Sequence, residues 1–120
     1  MAKKKTGYAY TKNKPIYNHP AHYRTVKAGN IEFVVFTHAE EVDLDKRNKK
    51  IPEKEHRKIK TIKLTNNIDS SKKTEESHVT PVVYEGSREL LGAKRQNLKL
   101  VGKDVAVVNK IFKTGMRIKL

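Results

Sequence analysis

The densest hydrophobic pattern in the chain is Ile31 to Thr37, IEFVVFT. As a strand it puts Ile31, Phe33 and Val35 on one face and Glu32, Val34 and Phe36 on the other. A strand apolar at most positions of both faces is expected to be central and covered on both sides. A weaker alternation from His22 to Val26 precedes it, and the turn residues Lys27-Ala28-Gly29-Asn30 lie between them. That combination predicts a hairpin.

Downstream, the pattern from Ala39 to Lys58 dissolves into charge. Val42 and Leu44 extend the hairpin, and Pro52 with its polar neighbours predicts a long loop. KIKTIKL, residues 58–64, reads as a strand with Lys60, Ile62 and Leu64 on one face. After the polar stretch TNNIDSSKKTEES, HVTPVVY at 78–84 reads as another strand, with Pro81 at an edge or a bulge. Ser87 is placed to cap the short turn SRELLG, which Gly92 closes. Asp104 is placed to cap a helix running to Gly115, with Val105, Val108, Ile111 and Phe112 at helical spacing. Its β-branched residues make that helix dependent on packing. The tail MRIKL alternates again and predicts a short strand.

The expected fold is therefore α+β: a small antiparallel sheet of about four to five strands with one C-terminal helix packed on it. Residues 1–15 have little periodicity and read as a disordered, flexible basic arm. Residues 16–120 read as one small domain, with a long charged loop at about 45–58. A length of 120 residues suits one domain, and 36% hydrophobic residues without Trp give it a modest core.

Charge alters this picture most. The chain has 27 Lys and Arg against 13 Asp and Glu, a net +14. That exceeds what solubility asks for and points to a polyanionic partner, although solvated charge retained for solubility is the competing account. The charge is also blocked. Residues 46–63 hold nine basic residues against Glu53 and Glu55, and the last eleven residues carry Lys110, Lys113, Arg117 and Lys119 with no acid. No stretch approaches the roughly 20 apolar residues of a spanning helix, so a membrane is not the expected partner. No apolar segment follows the basic start, so a secretory signal is not expected. The absence of Cys removes disulfides, thiol nucleophiles and cysteine-ligated zinc. A cytoplasmic location fits these features.

Little else resembles chemistry. His19, His22 and His38 could hold zinc if they converged, but Pro20 disfavours a helix between the first two and no carboxylate stands at a ligand-like spacing. Strand-end histidines explain them better, so no metal and no cofactor are expected. His22, Arg24 and His38 could together cleave RNA by acid–base catalysis, but trios of this kind arise easily by chance and need convergent geometry. Phosphate-binding glycine loops are absent, and Ser87 lacks the nucleophile-elbow pattern. The protein is therefore read as a non-enzymatic binder, with no catalytic residue assigned.

Nucleic-acid binding needs cations and, for single strands, exposed aromatic faces. The candidate phosphate contacts are Lys3, Lys4, Lys5, Lys12, Lys14, Arg24, Lys46, Arg47, Lys49, Lys50, Arg57, Lys58, Lys94 and Arg95. Tyr17 and Tyr23 are candidates to stack on bases, against the alternative that they belong to the core. Arg88 lies beside the GAKRQN segment, where a guanidinium could grip phosphate. No sequence-specific recognition motif appears, so the expected partner is RNA or DNA read through its backbone, or a nucleoprotein complex.

The order of the blocks NHPAHYR, IEFVVFTHA, IKTIKLTNNID and HVTPVVYEGSRELLG, spanning Asn18 to Gly92, resembles small proteins of bacteriophages and other bacterial mobile elements that have no assigned activity. The resemblance implies a context and no site residues. In that context the alternative to a nucleic-acid binder is a phage-encoded protein that binds and inhibits a host protein complex, such as a nucleic-acid-guided defence effector. A minor virion or packaging component belongs to the same alternative.

Overall fold

Every residue from Ile31 to Phe36 is buried, Glu32 included. This stretch lies in the strand Asn30–Thr37 (β3), the centre of the fold. The computed structural model describes residues 6–12, 19–46, 48–69 and 76–120. In chain order the remaining elements are β1 (Thr6–Tyr10), β2 (Pro20–Lys27), β4 (Glu41–Asp43), β5 (Lys58–Lys60), β6 (Ile62–Lys63), β7 (His78–Val79), β8 (Val82–Ser87), α1 (Lys103–Thr114) and β9 (Met116–Lys119). The class is α+β, with one α-helix among the described residues, near the C-terminus.

β2 and β3 form the expected hairpin around Ala28-Gly29. Gly29 has φ +77°, a conformation that glycine adopts without strain. The register shifts between Thr25 and Lys27, leaving Val26 half exposed on a bulge. On the other side of β3, β7 pairs with Phe36 and Thr37, while β8 pairs with Asn30 to Phe33. These are two halves of one line of chain interrupted at Pro81, which has no N–H to donate. The proline makes the bulge without making an edge, because β9 lies beyond β8.

Three expectations about the sheet are corrected. First, it is mixed rather than purely antiparallel, because β9 pairs parallel to β8, and among the described residues it has seven strands rather than four to five. A parallel neighbour needs a long crossover, and the segment containing α1 supplies it. Second, Thr6–Tyr10 is not part of a flexible arm. It is a strand paired antiparallel with β2, from Thr6 opposite Arg24 to Tyr10 opposite Pro20. Residues 1–5 and 13–15 of the expected arm lie outside the described residues. Third, KIKTIKL splits at Thr61. β5 pairs with β4 in a separate two-stranded ribbon, whereas β6 joins β7. The expected 45–58 loop is tied to that ribbon: Asp45 accepts from the Arg57 backbone N–H at 2.7 Å and from its side chain at 2.9 and 3.1 Å.

Both faces of the sheet are covered. On one side Val34, Phe36 and Val83 pack with Val108, Ile111 and Phe112 of α1 and with Leu64, Ile68, Leu98 and Leu100. On the other, Ala9, Ala21, Tyr23, Ile31, Phe33, Val35, Val82, Tyr84 and Leu91 form a second cluster, flanked by Leu44 and Ile59 of the ribbon. Burying an aliphatic or aromatic side chain contributes about 1.5–3 kcal/mol, against at most about 0.7 kcal/mol lost to poor helix propensity. Packing therefore holds α1 despite its valines. Val105, expected on the apolar face, is exposed instead.

Asp104 is not the cap of its own helix. Gly102 holds that position with φ +57° and no side-chain cap. The Asp104 carboxylate turns away to the segment after β6. Ser87 does cap the turn Arg88–Leu90, accepting from the Glu89 N–H at 3.2 Å. Among the described residues no helix is long and apolar enough to cross a membrane.

Candidate nucleic-acid interface

The segment Leu90–Arg95 runs along the outer edge of β1 and closes it. Lys12 N–H donates to Leu90 O, Gly92 N–H to Tyr10 O and Arg95 N–H to Tyr8 O, at 3.0, 2.8 and 2.7 Å. This pairing gathers cations that are far apart in sequence. Lys12, Lys94 and Arg95 are exposed, and Arg88 is half-buried. The Arg95 guanidinium lies over the Tyr10 ring with its carbon 4.9 Å from the centroid, and Arg88 lies 4.7 Å over Tyr23. Arg88 also donates through Nη1 to the carbonyls of Leu91 and Gly92 at 3.1 and 2.9 Å, which fixes the segment's entry onto β1.

Beside this edge is an open cleft of about 430 Å³ at the turn end of the β2–β3 hairpin. Among the described residues Thr6, Tyr23, Thr25, Gly29, Asn30, Ile31, Arg88 and Lys94 line it, two of them cations and none a carboxylate. Thr6, Thr25 and Asn30 are not among the sequence candidates. Thr6 was hidden because Gly7 and Ala9 disguise the alternation of β1.

The other candidates fall elsewhere. Lys46, Lys49 and Lys50 are exposed on the loop between β4 and β5, and Lys58 is exposed on β5. Arg57 is exposed on its outer side, but its Nε and Nη2 both bond Asp45. That pairing holds the Asp45 carboxyl down to about 2. Arg24 lies over Phe112, its guanidinium carbon 3.8 Å from the ring centroid, on the helix side of the sheet. Tyr23 belongs to the core at 7% exposure with Arg88 across its ring, which removes it as a stacking platform. Lys3, Lys4, Lys5, Lys14, Tyr17 and Arg47 lie outside the described residues.

The histidines do not form a trio. His22 sits between Tyr8 and Phe112, with ring centroids 4.5 and 6.1 Å away, and its Nδ1–H donates to Gly7 O at 3.1 Å. Burial pushes its pKa down to about 4, so the ring is neutral near pH 7. Val34 faces His22 across the hairpin, and His38 lies four residues further along, about 13 Å at strand spacing. The Nδ1–H of His38 donates to Glu76 O at 2.8 Å. His22, Arg24 and His38 therefore lack the convergence that acid–base cleavage of RNA requires. No group of three or more potential metal ligands occurs among the described residues.

His56 is different. Its Nδ1 meets Asp43 Oδ2 at 2.8 Å and its Nε2 meets Ile51 O at 3.0 Å. Both partners only accept, so both ring nitrogens carry protons, and Asp43 raises the pKa. This imidazolium and Arg57 fix the charged loop from within. Comparison of the chain with protein-family models, curated proteins and solved structures finds no match.

Proposed function

We propose that this protein binds nucleic acid, alone or within a nucleoprotein, through backbone-directed contacts and without catalysing a reaction, in a phage or mobile-element setting. One observation carries the reading. Lys12, Arg88, Lys94 and Arg95 are strung along one sheet edge, Arg95 over Tyr10 on the helix side and Arg88 over Tyr23 on the other, and among the described residues none of them makes an ion pair with a carboxylate. Among the described residues, the lysines and arginines so paired are Arg57, Lys63 and Arg117. Leaving cations unpaired on a surface keeps them available to displace counterions from a phosphate backbone, which is where such binding gains its free energy. The exposed Lys46, Lys49, Lys50 and Lys58 extend the basic surface on the β4–β5 ribbon.

The test is a fluorescence-anisotropy titration with labelled single- and double-stranded DNA and RNA across a salt series. The native chain gives a steep fall of affinity with salt. The triple variant Lys12→Gln, Lys94→Gln, Arg95→Gln lowers the log–log slope by up to about 2–3, since each lost phosphate contact removes about 0.7–0.9. An unchanged slope in the triple variant overturns the assignment of this edge.

A further inference from the structure

We propose that the cleft between the hairpin turn and the Arg88–Lys94 segment is a nucleotide-phosphate site. The inference rests on the nucleic-acid reading above and names the unit that this face takes. The ligand is a phosphate group carrying a nucleoside, whether as a free nucleotide or as one unit of a strand.

Charge selects the anion. Arg88 and Lys94 both line the cleft, and no Asp or Glu is among the described residues that line it. Arg88 is held in place by two carbonyls through Nη1, and among the described residues its Nε and Nη2 have no hydrogen-bond partner. A guanidinium immobilised by its own backbone contacts meets an anion with little further loss of freedom. The Thr25 hydroxyl and the Asn30 amide add neutral donors of the kind that orient a phosphate.

Size selects what the phosphate carries. About 430 Å³ falls within the roughly 300–1,000 Å³ of small-ligand sites, more room than an inorganic anion fills. The remaining wall is Thr6, Tyr23, Gly29 and Ile31. Ile31 and Tyr23, both buried, supply its apolar part, and beyond its chain neighbours no atom lies within 4 Å of where a Cβ on Gly29 would stand. A sugar and part of a base fit that side while the phosphate faces Arg88 and Lys94.

The experiment follows the backbone amides by NMR during titration with uridine 5′-monophosphate, then with uridine and with inorganic phosphate. The monophosphate is expected to shift Thr25, Gly29, Asn30 and Lys94 together, and uridine alone to leave them unmoved. Lys94→Ala, at an exposed position, is expected to weaken the monophosphate about tenfold, the worth of one charge-assisted contact. Thr25→Val, close in shape, is expected to weaken it less with the fold intact. A 5′-phosphorylated hexanucleotide and its 5′-hydroxyl counterpart separate the sources. Preference for the former supports the site and assigns it to a strand end; equal shifts of the cleft amides by both support it and assign an internal phosphate. Shifts scattered over the lysine-rich surface, or equal shifts from uridine and its monophosphate, overturn the site. Oligonucleotide binding that keeps its salt slope while the cleft amides stay unmoved overturns the site and leaves the backbone-binding reading standing.

Discussion

The Asp104 carboxylate, in the first turn of α1, receives Thr65 at both its backbone N–H (2.8 Å) and its hydroxyl (2.9 Å). The Asn66 N–H donates to the other oxygen at 3.0 Å, and Asp104 is 2% exposed. One side chain thus joins the helix to the segment that follows β6. Asp104→Ala removes three charge-assisted bonds and the buried partner of the Thr65 and Asn66 donors, which lie on exposed residues where water takes up part of the bonding. The expected loss is about 3 kcal/mol, read from the urea midpoint at constant slope. Asp104→Asn, which keeps one acceptor oxygen, is expected to lose less.

Gly7 in β1 lies directly against Tyr23, where an added Cβ would stand 2.6 Å from the phenolic oxygen and 2.8 Å from the ring. Tyr23 is buried with Arg88 across its face, so it has little room to retreat. Gly7→Ala is expected to cost about 1–3 kcal/mol by overpacking, measured by thermal or urea unfolding. A neutral outcome would mean that Thr6–Tyr10 does not dock as a strand.

These two sites also mark where sequence reading stops. The hairpin, the central strand, the bulge at Pro81 and the C-terminal helix were legible, because each has a local signature of alternation, turn residues or helical spacing. Thr6–Tyr10 was not. Its inward positions are Gly7 and Ala9, whose smallness hides the period, and its Tyr8 and Tyr10 contact the helix-side cluster. Asp104 looked like a cap because capping is judged locally, whereas its partners lie 38 and 39 residues earlier. The parallel pairing of β9 depends on a crossover that alternation in MRIKL cannot reveal. At the candidate interface, Lys94 and Arg95 were visible as charge, but their placement on the same sheet edge as Lys12 depends on the pairing of 90–95 with β1. The pairing of Arg57 with Asp45 was not legible, because a basic block does not show which cation an inward carboxylate takes.

His22 gives the protein a pH dependence with a defined direction. Its folded pKa is about 4, against an ordinary 6.5. Above pH 6.5 the ring is neutral in both states. As the pH falls from 6.5 to 4 the unfolded chain takes up a proton that the folded chain refuses, so stability is lost across that window. The shift corresponds to roughly 3 kcal/mol. His56 acts oppositely, since its raised pKa favours the fold below pH 6.5 and that contribution is lost as pH rises through its folded value. Comparing native protein with His22→Phe isolates the first effect: the variant's unfolding free energy is expected to fall less between pH 6.5 and 4. The imidazole C–H resonances of His22 should titrate with a midpoint near 4, and a midpoint near 6.5 would contradict the buried ring.

Arg117 resolves a conflict built into the sheet. Glu32 and Glu85 stand directly opposite one another on β3 and β8, an arrangement in which like charges repel. Arg117 on β9 reaches both, donating to Glu32 at 2.8 Å and Glu85 at 3.3 Å through Nη1, and to Phe112 O at 2.7 Å through Nη2. The Glu32 side chain is 10% exposed, so it depends on this cation more than Glu85 does, at 32%. Arg117→Gln leaves the two carboxylates facing without it. A fully buried broken pair costs about 3–5 kcal/mol, and partial exposure of the arginine reduces this to about 2 kcal/mol here. Adding Glu85→Gln removes one of the opposed charges and is expected to recover part of the loss. A double-mutant cycle on urea unfolding measures the coupling. Strictly additive losses would show that Arg117 and Glu85 are uncoupled, leaving Glu32 and the Phe112 carbonyl as the groups through which Arg117 acts.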